Sequence, residues 1–295
     1  MPVMQFLTTC QFDHGALSSL AGHLKKQAIA RPFIVTDPGI KAAGLLDLVI
    51  AALGVAPAGV FSETEPNPPE EQAEHAAGLF KASGADGIVA LGGGSSMDMG
   101  KAVGLMATHE APWDRFGASQ KGTRLIGPIP PLIAIPTTAG TGSEVSVGAV
   151  LVLRSGRKET FISNHLIPKL ALCDPELTLG LPAVLTAATG MDAMVHCIEA
   201  VLSPMVNPPA EAIGLDGVER GIGNGWLEAA VKDGADREAR WQMMMASYEG
   251  ALAFVKGLGS VHALSHAAGR LPGLKLHHGT LNAIWLPHVM AFNSG

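Results

Sequence analysis

The alternation of apolar and polar positions divides the first 180 residues into short strands and longer helices. Apolar runs rich in branched side chains, typical of buried strands, occupy 32–37, 59–63, 87–93 and 132–138. Apolar positions recur at helical spacing over 16–27, 42–54 and 69–84. A further strand segment or hairpin is predicted over 146–163. Because helices of this length can connect parallel strands, the pattern predicts an α/β layer with a parallel sheet.

The pattern changes close to Pro182. After 173–182, long stretches rich in Ala, Met and Leu carry few strand signals, which indicates helices. The 295 residues also suit two domains better than one. We therefore predict an α/β domain over 1–181 and an all-α domain over 182–295.

Composition narrows the range of partners. The formal net charge is −6 and only 16% of residues are charged, so the chain lacks the basic surface that nucleic acids and anionic lipids require. A long uncharged stretch, 125–143, contains four prolines and cannot form a membrane-spanning helix. We expect small-molecule partners, with no nucleic acid and no membrane.

The cellular compartment is suggested by the N-terminus and the cysteines. No positive charge precedes Asp13 and no separate apolar segment follows, so a secretory signal is not expected. The three cysteines are scattered and odd in number, which favours a reducing compartment. We expect a cytoplasmic protein.

The second half of the chain concentrates residues that bind transition metals. Asp192 and His196 are four residues apart, as are His262 and His266, and His278 follows. On a helix, a spacing of four places two side chains on one face. A carboxylate mixed with imidazoles suits iron(II) or zinc better than calcium or magnesium. The alternative is that each histidine is a hydrogen-bonded core residue.

A glycine-rich segment follows the third predicted strand. Gly92, Gly93 and Gly94 lie between this strand and a helix, an arrangement that can present backbone N–H groups to a phosphate. The segment is neither G-x-G-x-x-G nor a Walker motif. A structural interpretation is equally open, with Ser95 as a helix N-cap and Asp98 completing an acidic capping box.

Two further segments fit either a nucleotide site or ordinary turns. Asp37 ends the first predicted strand, where an acidic residue can bind an adenosine ribose, but it also precedes Pro38 and could form a turn. The segment 136–144, PTTAGTGSE, follows another strand and is rich in Gly and Thr. Its amides and hydroxyls could contact a dinucleotide or close a turn.

The order and spacing of several motifs resemble the iron-containing alcohol dehydrogenase family. These motifs are GGGSSMD, PTTAGTGSE, DPELTLGLP, ATGMDAMVHCIEA, GLGSVHALSHAAG and HHGTLNAIWLPHVM. The resemblance implies an N-terminal dinucleotide-binding domain and an all-helical metal-binding domain of dehydroquinate synthase-like architecture, with the active site in a cleft between them. It also implies hydride transfer between NAD(H) and a small alcohol or aldehyde, and a homodimer.

The resemblance assigns roles by position. The implied metal ligands are Asp192, His196, His262 and His278, for Fe²⁺ or alternatively Zn²⁺. His266 matches a histidine close to the substrate, and we assign it a catalytic role as a proton relay; His277 has no assigned role. The implied NAD contacts are Asp37, Asn67, Gly93, Gly94, Ser95, Asp98, Thr137, Thr138 and Lys158. An acidic residue at position 37 favours NAD over NADP.

The chain departs from the family at its C-terminal end, and two other functions are considered beside dehydrogenation. Family members usually continue with several more helices, so we expect the helical domain to be incomplete. A dehydroquinate synthase-like lyase, which uses NAD and zinc, would need several cationic side chains for a phosphorylated substrate, and few occur after residue 182. The second rival is a non-catalytic fragment in which the metal is structural, although structural sites usually combine Cys and His.

Overall fold

The computed structural model describes residues 8–269, 271 and 276–294, and they form two compact units. The α/β unit comprises 8–137 and 143–177, and the helical unit comprises 138–142 and the described residues from 178 onward. No sequence pattern indicated that 138–142 groups with the helices. The predicted division into 1–181 and 182–295 stays a prediction.

A six-stranded parallel sheet forms the centre of the α/β unit, in the order β1-β8-β5-β4-β2-β3. Its strands are β1 (Cys10–Phe12), β2 (Pro32–Val35), β3 (Gly59–Phe61), β4 (Gly87–Gly92), β5 (Leu132–Pro136) and β8 (Leu170–Cys173). A separate antiparallel hairpin pairs β6 (Gly148–Val152) with β7 (Lys158–Ile162). The parallel sheet, its four predicted strands and the predicted hairpin are confirmed, whereas β1 and β8 were not predicted.

Helices cover both faces of this sheet. They are α1 (Leu20–Lys26), α2 (Pro38–Ala42), α3 (Leu45–Ala52), α4 (Glu70–Ser83) and α5 (Gly94–Thr108). Successive residues of β2 point to opposite faces, so Phe33 packs in the same core as Phe80 of α4, while Ile34 packs in the same core as Val49 of α3. Burial on both faces explains why the strands are continuous apolar runs.

Three helix boundaries differ from the prediction. The segment 16–27 begins as a 3-10 turn, Ala16–Ser19, before α1. The helix predicted over 42–54 starts earlier, because Asp37 caps α2, and it is interrupted at Gly44, whose φ of 76° is left-handed. The proposed Ser95 cap is wrong, since α5 begins after Gly93, whose carbonyl accepts a hydrogen bond from the Met97 amide.

The described helical unit is built around α6. Its helices are α6 (Ala183–Leu202), α7 (Pro208–Val218), α8 (Trp226–Lys232), α9 (Arg237–Ala253), α10 (Ser260–Ala268) and α11 (His278–Asn293). Helix α6 packs against α7, α8, α9 and α11, and α10 packs on α11. By length and apolar composition α6 could cross a membrane, but 67% of its apolar window is buried inside the protein, as in a core helix.

Candidate metal centre and cofactor loop

Four side chains of the helical unit bring one ligand atom each to a common point. The Oδ1 atom of Asp192 lies 3.9 Å from Nε2 of His196, 3.5 Å from Nε2 of His262 and 3.5 Å from Nε2 of His278. Asp192 and His196 project from α6, and the other two residues project from α10 and α11. Asp192, His196 and His262 place ligand atoms within 4.8 Å of one another, and His278 joins this group through its contact with Asp192.

The spacing of these atoms fits a divalent ion. Nitrogen and oxygen ligands lie about 2.0–2.2 Å from a tetrahedral zinc ion, which places neighbouring ligand atoms about 3.4 Å apart. The observed separations of 3.5–3.9 Å from Asp192 Oδ1 are close to that value. One carboxylate with three imidazoles is also a donor set that suits Fe²⁺ and Zn²⁺.

Close packing between α6 and α11 brings His278 to the cluster. A Cβ atom at Gly279 would lie 2.0 Å from the carbonyl oxygen of Ala188 and 3.3 Å from Cβ of Asp192. Only a glycine allows the backbones to approach this closely. The glycine that follows His278 in the sequence HHG therefore positions the neighbouring imidazole beside α6.

Each imidazole is oriented through its other ring nitrogen. Nδ1 of His196 lies 3.2 Å from the carbonyl oxygen of Gly140, and Nδ1 of His262 lies 2.7 Å from Oε2 of Glu199. Nδ1 of His278 is 3.5 Å from Oγ of Ser265. A hydrogen bond at Nδ1 fixes the ring and leaves Nε2 available to a metal. The three Nε2 atoms consequently face Asp192.

Glu199 is the functional residue that sequence reasoning missed most clearly. Its side chain is only 4% exposed and accepts hydrogen bonds from the backbone amides of Val261 (2.7 Å) and His262 (3.4 Å), as well as from the His262 ring. It thus binds the N-terminus of α10 and orients the His262 imidazole carried by that helix. The available signal was its position on α6, one turn after His196 on the same face.

The charges in the cluster shift its pKa values in opposite directions. Burial alone would raise the pKa of Asp192, but the adjacent imidazoles outweigh it and hold that pKa well below its usual range. Burial lowers the pKa of His196 to about 4. Burial also opposes protonation of His262, yet its hydrogen bonds with Asp192 and Glu199 raise its pKa to about 9. The site keeps a carboxylate ionised in the interior, where a cation is its natural partner.

The cluster reaches solvent on the side of His278. That side chain is 29% exposed, against 3% for Asp192. His266, one turn after His262 on α10, is half-buried, and its ring centroid lies 5.0 Å from that of His278. His277 is exposed, with Nδ1 3.5 Å from the hydroxyl of Thr280. His266 is therefore beside the ligand atoms, whereas His277 points to the surface.

The glycine loop of the α/β unit lies at a break in strand order. The chain passes from β2 to β3 at one edge and then returns to form β4 on the other side of β2. In open parallel sheets, ligands bind outside the carboxyl ends of the strands at such a switch point. Asp37 follows β2 and Gly93 follows β4 at this point. Gly92, with φ of 140°, allows the strand to turn into α5.

Asp37 forms a turn, and its carboxylate also lies beside the glycine loop, where it could contact a ribose. Its Oδ1 accepts from the Ile40 amide at 3.0 Å and so caps α2, as a turn-forming residue does. Its Oδ2 accepts from the Ser96 hydroxyl of α5 at 2.8 Å, which fixes the carboxylate beside the glycine loop. The structural role therefore does not exclude contact with a ribose.

The other predicted cofactor residues occupy different environments. Asn67 and Lys158 are paired, with Nζ of the lysine donating to Oδ1 of the asparagine at 2.7 Å. Asp98 instead accepts from the Ser143 hydroxyl at 2.6 Å and from the Val150 amide at 3.0 Å, so both of its oxygens bind protein groups. Thr137 is buried after β5 in the α/β unit, whereas Thr138 groups with the helical unit; Gly94 and Ser95 open α5.

Comparison with known proteins agrees with this arrangement. Residues 8–175 match the iron-containing alcohol dehydrogenase family, and residues 186–295 match the C-terminal domain of the Fe-containing alcohol dehydrogenase family. A 4-hydroxybutyrate dehydrogenase of Cupriavidus necator is 50% identical over all of this chain and 78% of its own length.

Two solved structures share the architecture. A 1,3-propanediol oxidoreductase has a TM-score of 0.91 and 34% identity, covering 99% of this chain and 76% of its own. A sulfoacetaldehyde reductase of Bifidobacterium kashiwanohense, solved with NAD⁺, has a TM-score of 0.90 and 28% identity, covering 99% and 77%. The chain therefore belongs to the iron-containing alcohol dehydrogenase family, and it is an oxidoreductase that uses NAD(H) and a divalent metal.

Proposed function

We propose that the carboxylate and the three converging imidazoles bind a divalent ion, Fe²⁺ or alternatively Zn²⁺, at which a short primary alcohol is oxidised by NAD⁺. The proposed ligands are Asp192, His196, His262 and His278. The observation that carries the proposal is the convergence of three Nε2 atoms within 3.9 Å of one carboxylate oxygen. A divalent ion bound there would neutralise the buried carboxylate and accept the lone pairs of the neutral imidazoles.

The substrate we propose is a short primary alcohol or ω-hydroxy acid. The relative with 50% identity is named for 4-hydroxybutyrate, and the solved relative at 34% identity is named for 1,3-propanediol. Both compounds have a primary hydroxyl on a chain of three or four carbons. 4-Hydroxybutyrate is therefore the first compound to test.

NAD is proposed to bind at the glycine loop. The residues assigned to it are Asp37, Asn67, Gly93, Gly94, Ser95, Asp98, Thr137, Thr138 and Lys158. Support comes from the switch point between β2 and β4, where the N-terminus of α5 can bind a pyrophosphate. The Asp37 carboxylate, held by Ser96, would repel a 2′-phosphate, which favours NAD over NADP.

The chain's residues provide binding, orientation and a route for the proton. A bound divalent ion supplies Lewis acidity at the substrate oxygen, and the nicotinamide accepts the hydride. Because Asp192 is the only carboxylate in the ligand set, the protein neutralises about half the charge of such an ion. His266, half-buried beside His278, is placed to accept the hydroxyl proton during oxidation and release it to solvent.

The proposal extends to a cytoplasmic location, supported by the odd number of cysteines and by the lack of a CxxC pair in the sequence. A homodimer stays a prediction of the family resemblance.

The dehydroquinate synthase-like alternative receives no support from the family models, which match iron-containing alcohol dehydrogenases along both parts of the chain.

The test combines metal analysis with an activity assay. Protein purified without added metal is analysed for iron and zinc, and NADH formation is then followed with 4-hydroxybutyrate, 1,3-propanediol and ethanol, before and after chelation. We expect about one bound ion per chain, and NAD-dependent activity that chelation removes and the metal restores. Bound metal without activity on any alcohol would support a structural ion, and absence of both would overturn the proposal.

A further inference from the structure

A fifth side chain, that of Asn282, contacts three of the four proposed ligands. Its Nδ2 atom lies 2.6 Å from Oδ1 of Asp192, 3.2 Å from Nε2 of His262 and 3.3 Å from Nε2 of His278. Asn282 is 0% exposed and lies one turn after His278 on α11, so both side chains project from the same face. The amide therefore stands where the ligand atoms converge.

The chemistry of these contacts resembles that of a bound cation. Nδ2 carries two hydrogens and no lone pair, whereas the Asp192 oxygen accepts hydrogen bonds. Since Glu199 accepts at Nδ1 of His262, the Nε2 atom of that ring also offers a lone pair in its neutral form. The Asn282 amide and a metal ion consequently compete for the same lone pairs.

The other end of the amide supports this interpretation. Oδ1 of Asn282 is buried and has no hydrogen-bond partner among the residues that the structure describes. A buried acceptor without a partner costs about 1–3 kcal/mol, so an asparagine placed here for packing alone would be unfavourable. Exchanging the amide nitrogen and oxygen would place two acceptor oxygens 2.6 Å apart. The amide is therefore oriented with Nδ2 towards Asp192, because only this orientation places a donor against the carboxylate oxygen.

We infer that Asn282 is a positioning residue that substitutes for the metal ion: it holds the ligand side chains together before loading and gives up its hydrogen bond to Asp192 when the ion binds. This inference rests on the proposed metal site. It follows that Asn282 stabilises the metal-free protein more than the loaded protein. The chain can then fold with its ligands already assembled, at the expense of part of its metal affinity.

The test compares thermal stability with and without metal. Melting temperatures of the parent, Asn282→Ala and Asn282→Asp are measured after chelation and again with saturating Zn²⁺ or, under anaerobic conditions, Fe²⁺. We expect both variants to lose stability mainly in the metal-free state, so the metal-induced rise in Tm exceeds that of the parent. Asn282→Asp should show the larger rise, because a second carboxylate beside Asp192 repels it without metal and binds the ion with it.

A competition assay with a chelator gives a second readout on folded, loaded protein. The hydrogen bond to the Asp192 carboxylate is worth about 1.5–3 kcal/mol, so its loss should tighten the metal Kd of Asn282→Ala by about tenfold or more. The matched control is Asn207→Ala, a buried asparagine whose Oδ1 caps α7. It should lower Tm equally in both states and leave the Kd unchanged.

The outcomes separate this inference from the proposed function. If the parent binds no divalent ion, the proposed metal site itself fails. If the parent binds metal but Asn282→Ala behaves like the Asn207 control, Asn282 has a packing role only and the inference is overturned. Weaker metal binding by Asn282→Ala would also overturn it, since the amide would then act as a ligand. If Asn282→Asp unfolds on chelation, the inference is tested with Asn282→Ala, which introduces no additional charge.

Discussion

Two buried clusters, one in each unit, arrange their charged side chains in opposite ways. In the α/β unit, the ammonium group of Lys101 is completely buried and donates to the Ser143 hydroxyl at 2.9 Å and to the Gly148 carbonyl at 2.7 Å. It also reaches the carbonyl and hydroxyl oxygens of Ser146, both at 3.1 Å. Ser143 in turn donates to Asp98. Every donor here meets an acceptor, and a lysine and an aspartate share one network.

The cluster around Asp192 in the helical unit has the opposite arrangement. Around Asp192, the converging atoms are a carboxylate oxygen and imidazole nitrogens, all of which can act as acceptors. No lysine or arginine is paired with Asp192 among the residues described. The amide of Asn282 donates to that carboxylate at 2.6 Å.

The difference separates a structural network from a binding site. A buried network with matched donors and acceptors is complete, so it stabilises the fold and leaves nothing for a ligand to add. A buried group of acceptors of one kind is incomplete without a cation. The type of polar atom that converges, rather than the number of charged residues, distinguishes the two regions.

The strongest test of this contrast removes one converging nitrogen. His262→Ala leaves two imidazoles and the Asp192 carboxylate, which cannot complete the ligand set, so we expect loss of bound metal and loss of detectable dehydrogenase activity. Metal analysis and NADH formation are the measurements. His277→Ala, which changes an exposed histidine adjacent to a ligand, is the control and should retain both. Full metal occupancy in His262→Ala would remove this residue from the ligand set.

The next test separates metal binding from proton transfer. His266 lies beside His278 and is not among the four converging ligands, so His266→Ala should keep its metal. A positioned acid or base typically contributes about 10²–10⁴-fold, and we expect kcat to fall by at least about a hundredfold. Steady-state kinetics and the pH profile of kcat report the change. Activity equal to the parent's would show that this imidazole does not relay the proton.

A substitution in the Lys101 network of the α/β unit should lower the free energy of unfolding without changing the metal content. Lys101→Met removes the donor to Ser143, Ser146 and Gly148, and each buried polar group left without a partner costs about 1–3 kcal/mol. Chemical denaturation should show this loss, while the folded fraction keeps its metal. Lys232→Met, an exposed lysine paired with Glu228 on α8, is the control and should leave the denaturation midpoint unchanged. A fully stable Lys101→Met variant would show that the network does not stabilise the fold.

Much of the fold and of the ligand set could be predicted because the relevant signals are local. Apolar runs located β2, β4 and β5, since strands buried on both faces are continuously apolar. They also located β3, which lies at the sheet edge and is only partly buried. Length does not distinguish the two missed strands, since β1 and β8, with three and four residues, are as long as β3 and β2, which were predicted. Histidine and aspartate are few enough in the helical half for their spacing to stand out.

The residues that orient the ligands could not be found in the same way. Glu199 contacts His262 across 63 positions of sequence, and Asn282 contacts Asp192 across 90. A glutamate or asparagine on a helix is usually exposed, so neither residue type indicates burial by itself. The Gly140 carbonyl that fixes His196 has no side-chain signal at all. These contacts depend on how the helices pack, which periodicity does not specify.

The smallest expected effect concerns Glu199, which shares features of the Lys101 network and of the Asp192 cluster. Its carboxylate accepts hydrogen bonds from amides of α10, so it is satisfied as the groups of the Lys101 network are, yet it also orients an imidazole of the candidate metal centre. Glu199→Gln keeps the shape of the side chain but removes the charge that favours the Nδ1–H form of His262. Substitution of such an orienting partner typically costs about 10–100-fold in metal affinity, and we expect a weakening in that range by chelator competition. Glu238→Gln, on the exposed surface of α9, should leave the Kd unchanged. Equal affinities in the two variants would mean that Glu199 only anchors α10, and that the orientation of His262 is set by packing.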